Sequence, residues 1–284
     1  MSASNLWPQQ QEHHVWYCSY GSNCNMQRFS VYLNGGKPIG SSLNAPSMSG
    51  CRVSSSPLKS QPILLEEYQM IFSRVSRTWH GGGVCFIKKN HRDAPFICGD
   101  DVYNGLQNCI CKKKSNENVC NCVITENDDF NSHTNHVLGR IHKIMWSQFV
   151  DVVSQENGGI NCKLEGRNHI QQQLDDYYEN IISKLRETGE FKLFDTWYGN
   201  IMLIGFHPED GCPIITFTTS TFEQEVINKA HESYLNTIAE GISEAFKICE
   251  KRCAMYFFSK KGVKEFYSLE ELALRICKAA NNLE

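Results

Sequence analysis

Residues Tyr20-Gly21-Ser22-Asn23 constrain this chain more than any other stretch. They close an apolar run, Val15-Trp16-Tyr17-Cys18-Ser19, and open an amphipathic one that carries Met26, Phe29, Val31, Tyr32 and Leu33. A strand over about 15–20 must therefore pass at once into a helix over about 24–33. Gly21 offers a sharp backbone turn without a Cβ, and Ser22 and Asn23 are good N-cap residues. The unpaired N–H groups of such a turn point outward, where an anion or a developing oxyanion can be met. An ordinary capped strand-to-helix turn has the same four residues, so the rest of the chain has to decide.

The chain has 284 residues and a net charge of -3. That length suits one large core or two modest ones. The charge gives no argument for nucleic acid or an anionic membrane surface. The basic run Lys112-Lys113-Lys114 lies in a polar loop and reads as solvated. No apolar stretch approaches the roughly 18 residues needed to span a bilayer. Met1 to His14 is polar, without a signal-peptide apolar region, and is expected to be disordered. These features point to a cytoplasmic protein.

The fourteen cysteines are scattered and read as free thiols. Cys18 and Cys85 fall in apolar strand-like runs and Cys249, Cys253 and Cys277 in helical ones, where cysteine packs as a small hydrophobe. Cys109, Cys111, Cys120 and Cys122 are different: two C-x-C arms across a hairpin can offer four thiolates to zinc. The C-x-x-C spacing of zinc knuckles is absent there, and free thiols in a polar loop are the preferred reading. No cofactor or metal is expected.

Beyond the first helix, residues 34–60 are rich in Gly, Ser and Pro and suggest an ordered covering arm. The stretch Ile63 to Val75 should hold a strand, and Gly82 to Lys88 a shorter one. Residues 90–133 are polar and read as an insertion. Val137 to Ile144 is strand-like, and Ser147 is placed to cap a helix that stops at Gln155-Glu156-Asn157-Gly158-Gly159. The second half predicts a charged helix over 168–187, strands over Thr196–Phe206 and Pro213–Thr218, a long helix over 223–250 and a last helix over about 268–281. The 223–250 helix has an apolar face too wide to leave in water, so it should dock on the first half.

Three segments now stand in order: strand–Tyr20-Gly21-Ser22-Asn23–helix, then Thr78-Trp79-His80-Gly81-Gly82-Gly83 before a strand, then the Val137-Leu138-Gly139 strand followed by a helix ending in Gln155-Glu156. In this order and spacing the chain resembles the γ-glutamylcyclotransferase-like superfamily over roughly residues 15–160. Thr196-Trp197-Tyr198-Gly199 and Asp210-Gly211-Cys212-Pro213 look like a longer, poorly characterised branch of it. Members of that branch sometimes carry a deacetylase name, which nothing in this sequence supports. The resemblance implies an α+β fold: a small mixed β-barrel or sheet with flanking helices and a helical C-terminal extension from about residue 165, the whole of 15–284 forming one domain. It implies Glu156 as catalytic acid/base, with Tyr20, Gly21, Ser22 and Asn23 holding a γ-glutamyl moiety. Trp79 and Tyr198 are candidate pocket residues, although plain packing suits both. The substrate implied is a small γ-glutamyl molecule; its amine half and the oligomeric state are left open. A catalytically silent binding or partner-binding module on the same fold is the alternative.

The chemistry that the resemblance implies makes few demands. A γ-glutamyl amide cyclises when its own α-amine attacks its side-chain carbonyl, releasing 5-oxoproline and a free amine. The nucleophile belongs to the substrate, so one base and one donor array suffice. Cys24 follows the loop without an evident base and reads as a packing residue. The 109–122 loop is expected to be dispensable for catalysis, because it adds little apolar surface to bury. Elemental analysis of the purified protein checks this: stoichiometric zinc, lost on Cys→Ser changes at Cys109 and Cys120, would contradict the free-thiol reading.

Overall fold

The computed structural model describes residues 12–38, 41–43, 45, 47–102, 136–158, 178–193 and 195–281. The Cys109–Cys122 group, most of the 90–133 insertion and residues 1–11 lie outside the described residues. The architecture is α+β: a mixed sheet with helices on both faces and a helical C-terminal segment.

Strand β1 (His14–Ser19) runs through the middle of the molecule. It pairs antiparallel with β6 (Val137–Met145) on one side and parallel with β9 (Pro213–Thr218) on the other. The described strands form a seven-stranded sheet ordered β5-β2-β6-β1-β9-β8-β7, completed by β2 (Lys59–Leu65), β5 (Phe96–Cys98), β7 (Glu190–Lys192) and β8 (Asn200–Phe206). A separate ribbon of β3 (Tyr68–Ser73) and β4 (Val84–Lys89) folds over one face. It is tied to β9 by Thr218 Oγ1, which accepts from Ile87 N and donates to Ile87 O.

Period-two alternation along β1 explains its unbroken apolar run. Val15 and Tyr17 point into a core built with α1 (Met26–Asn34), α2 (Trp146–Glu156) and α3 (Tyr178–Thr188). Trp16, Cys18 and Tyr20 point the other way, into a core made with the β3–β4 ribbon, α4 (Glu232–Phe246), α5 (Glu250–Phe258) and α6 (Leu269–Asn281). Among the described residues no helix is long and apolar enough to cross a membrane.

The structure departs from the sequence expectations in instructive places. Ile63–Val75 holds two strands in different sheets, because the chain reverses at Glu66-Glu67, with Glu67 at φ 56°. Phe96–Cys98, expected within a polar insertion, pairs with β2. The helix assigned to Ser147 begins at Trp146, with Met145 at the N-cap position; Gln148 Oε1 accepts from Met145 N at 3.1 Å. The 223–250 helix is really a short 3-10 turn at Phe222–Gln224, an extended stretch, and α4 from Glu232. The extended stretch spends its backbone on the ribbon: Asn228 N donates to Phe72 O, and Lys229 O accepts from Gly83 N. α4 then stops at Lys247 in the left-handed region, and α5 follows.

α4 does dock on the first half, and its closest approach is at the turn after β1. A Cβ on Gly241 would overlap the carbonyl carbon of Cys24 and the nitrogen of Asn25. Glu240, its neighbour, accepts from Asn25 Nδ2 at 2.9 Å. Gly241→Ala must push helix and turn apart, so it should cost about 2 kcal/mol and lower the melting temperature by roughly 5 °C. Calorimetric melting of the variant checks this.

Candidate active site

The turn after β1 is held from every side except one. Its carbonyls are all taken: Gly21 O accepts from Cys24 N, Ser22 O from Asn25 N, Asn23 O from His142 Nε2 at 3.2 Å and Cys24 O from Arg140 at 3.3 Å. The backbone N–H groups of Gly21, Ser22 and Asn23 pair with no acceptor among the described residues. They are the open donors that the sequence pattern anticipates. The N-cap of α1 is Asn25, whose Oδ1 accepts from Arg28 N at 3.1 Å, rather than Ser22 or Asn23. Gly21 sits at φ -110°, so a positive φ is not why glycine is needed. A Cβ there would lie 2.9 Å from Cys85 Sγ and 3.1 Å from the Tyr234 hydroxyl. The requirement is close approach.

A cavity of about 210 Å³ opens beside the turn, and all seven expected site residues line it: Tyr20, Gly21, Ser22, Asn23, Trp79, Glu156 and Tyr198. Their parts differ. Tyr20 donates its hydroxyl to Phe217 O at 2.8 Å, which pins the turn to β9. Trp79 packs on Tyr234, ring centroids 4.6 Å apart. Tyr198 donates its hydroxyl to Cys85 O at 3.3 Å, and its backbone exchanges two hydrogen bonds with the Asn157 side chain. The Tyr198 segment is thereby bolted to the end of the helix that carries Glu156.

Glu156 ends α2 and faces the turn. Asn23 Nδ2 donates to its Oε1 at 3.1 Å, and Tyr32 hydrogen-bonds it as well. Burial pushes the carboxyl pKa above the ordinary glutamate value; the Arg28 charge and the bonds from Tyr32 and Asn23 pull it back part of the way. A carboxyl whose pKa is raised holds a proton more readily than an ordinary glutamate does. Asn23 is 3 % exposed, and its Oδ1 has no hydrogen-bond partner among the described residues. A buried acceptor left open costs free energy unless a ligand supplies the donor.

Several residues around the site carry no local sequence signal. Arg28 is 2 % exposed; its Nε donates to Ser22 Oγ at 2.8 Å and its guanidinium lies 4.6 Å from the Trp79 ring. On sequence it is only a polar position in an amphipathic helix. His142 stacks on Phe29 and bridges Ser60 and Asn23. Because Asn23 O can only accept, Nε2 carries the proton and Nδ1 accepts from the Ser60 hydroxyl. Burial lowers its pKa to about 3, so it stays neutral and acts as a strut. Gln155 joins the covering arm to α1, accepting from Gly50 N at 3.2 Å and donating to Tyr32 O at 2.9 Å. Tyr234 reaches the pocket from α4, 3.0 Å from Cys85 Sγ. Cys24 behaves as expected of a packing residue. Its thiol donates to Ser19 O at 3.1 Å, and burial pushes its pKa up to about 11.

The chain matches no family model. It is 25 % identical over 251 residues to "Histone deacetylase 5" of Arabidopsis thaliana, and that match covers 85 % of the chain but 30 % of the plant protein's length. Among solved structures it is similar to an uncharacterized protein from Homo sapiens, at TM-score 0.38 and 12 % identity over 94 % of this chain and 99 % of that one. It is also similar to a gamma-glutamyl cyclotransferase, at TM-score 0.37 and 11 % identity, again over 94 % and 99 %.

The Arg28 charge lowers the Glu156 pKa, so removing it should do the reverse. In Arg28→Met the Glu156 carboxyl should titrate at a higher pH than in the unsubstituted protein. Carboxyl chemical shifts of ¹³C-labelled glutamate, followed through a pH series, check the direction.

Proposed function

We propose that the chain is a γ-glutamylcyclotransferase-type enzyme with Glu156 as its general base and acid. The observation that carries this reading is a half-buried carboxylate of raised pKa, 3.1 Å from Asn23 Nδ2, in one cavity with the open N–H groups of the Gly21–Asn23 turn. The sequence resemblance over three ordered segments points the same way.

In this reaction the substrate's α-ammonium gives a proton to Glu156. The freed amine attacks the γ-glutamyl carbonyl carbon, the new C–N bond closes a five-membered ring, and the carbonyl oxygen becomes an oxyanion. The bond to the departing amine then breaks as Glu156 hands its proton to that nitrogen. The ring nitrogen gives up its second proton to the carboxylate, which passes it to the released amine, so that the amine leaves as an ammonium and Glu156 is again ionised. The products are 5-oxoproline and the free amine; no redox step occurs.

The polar groups nearest Glu156 and the turn have tasks in this scheme. The open acceptor Asn23 Oδ1 takes an N–H of the α-ammonium beside Glu156. The N–H groups of Gly21 to Asn23 receive the substrate's negative charge, and the neighbouring Arg28 cation favours the same sign. Trp79, Tyr198 and Tyr234 give walls that fold the substrate on itself, where proximity supplies much of the rate. Cys85 and Cys24 have no covalent part; burial raises both thiols, Cys85 to about 12.

Glu156→Gln should keep the fold and ligand binding while turnover falls by about three powers of ten or more. Release of 5-oxoproline from a panel of γ-glutamyl compounds is the measurement, and near wild-type turnover in the variant would sink the assignment. The base must be ionised to take a proton. With its pKa raised by burial, kcat/KM should therefore climb with pH through an inflection above the ordinary carboxylate range.

A further inference from the structure

The mouth of the cavity carries an aromatic surface that the chemistry above does not use. Trp197 is 38 % exposed and lines the cavity beside Tyr198. The ring is nevertheless braced. The Arg74 guanidinium lies 5.5 Å from its centroid and 5.1 Å from that of Phe86. Arg74 is itself fixed: its Nε donates to Glu225 at 2.9 Å, and its terminal nitrogen to Thr219 at 3.0 Å. The Glu225 side chain is 6 % exposed, and the Arg74 bond helps lower its pKa to about 2. The next residue along, Tyr198, is locked to Asn157 at the end of α2. A large ring left partly in water but held from behind and from its own backbone costs little entropy to use as a binding surface.

The charge around it is equally selective. Among the described lining residues Arg28 is the one cation, and it lies deep, against Ser22 and Trp79. Arg74, against the Trp197 ring, is already matched by Glu225. Of the other lining residues that reach solvent, Gly21, Met48, Thr78, Gly158 and Tyr198 carry no charge and Glu156 is acidic. Among the described residues at the mouth, a departing amine that bears a carboxylate finds no unmatched counter-charge, whereas a neutral one with an apolar body finds a ring and a thioether.

We infer that Trp197 is the platform for the amine half of the substrate, and that the preferred substrates are γ-glutamyl amides of neutral, apolar or aromatic amines rather than γ-glutamyl peptides with a free carboxylate. The substrate class rests on the cyclotransferase reading; the platform is separately testable. The probes are γ-glutamyl benzylamide and γ-glutamylalanine. The wild-type protein should release 5-oxoproline from the benzylamide with a kcat/KM about tenfold higher or more. Trp197→Ala should erase most of that preference through KM, and Trp197→Phe should keep it. Calorimetric binding of both probes to the Glu156→Gln protein should show the same preference without turnover. Equal turnover of the two probes, or a preference unmoved by Trp197→Ala, overturns the platform and leaves the chemistry standing. Preferential benzylamide binding with no 5-oxoproline from either probe sustains the platform and overturns the chemistry. Neither binding nor turnover overturns both.

Discussion

Strand β1 is the constraint on which the rest of the molecule depends. It is hydrogen-bonded on both edges and buried on both faces, so its position is over-determined. The Tyr20–Asn25 turn leaves directly from its end and inherits that rigidity, and each neighbour of the strand adds a restraint to the turn. Phe217 of β9 takes the Tyr20 hydroxyl, Arg140 and His142 of β6 take the carbonyls of Cys24 and Asn23, and α4 closes against Cys24 and Asn25. With the carbonyls of Gly21 to Asn25 engaged, the backbone groups this part of the turn leaves open are the N–H groups of Gly21 to Asn23. The polarity of the site is thus a by-product of how the backbone is satisfied.

The same economy governs the electrostatics. Glu156 is desolvated at a helix C-terminus, where the macrodipole disfavours negative charge. Arg28, Tyr32 and Asn23 compensate in part, and the net result is a raised pKa. His142 is too dry and too close to Arg140 to titrate near neutrality. Two titratable groups on adjoining elements have been pushed in opposite directions, one toward proton exchange and one out of it.

Two halves of the chain share the site in unequal ways. The resemblance that the sequence carries ends near residue 160, yet Tyr198, Phe217 and Tyr234 form part of the cavity wall. The later segments close the pocket and hold the turn from behind, and Asn157 joins the two contributions by exchanging bonds with the Tyr198 backbone.

The sequence by itself determined the elements with a strong local period or a strong local stop. β1, β6, β9 and the turn at 20–25 derive from apolar runs bounded by Gly, Ser and Asn, while Glu156 stood out only through the resemblance carried by three segments in order. Only the tertiary structure decided where local signals conflict with distant partners. Residues 225–230 are helical in pattern but extended in fact, because the ribbon edge at Phe72 and Gly83 offers their backbone better bonds than a helix turn would. The reversal at Glu66-Glu67 was invisible because apolar residues flank it on both sides. Arg28, His142 and Tyr234 could not be read as site residues, since a polar residue's role depends on what burial and neighbouring charge do to it. Those neighbours lie more than a hundred positions away in sequence: Glu156 beside Arg28, Asn23 beside His142, Cys85 beside Tyr234. Periodicity reports which face of an element is apolar; it carries no information about what that face will meet.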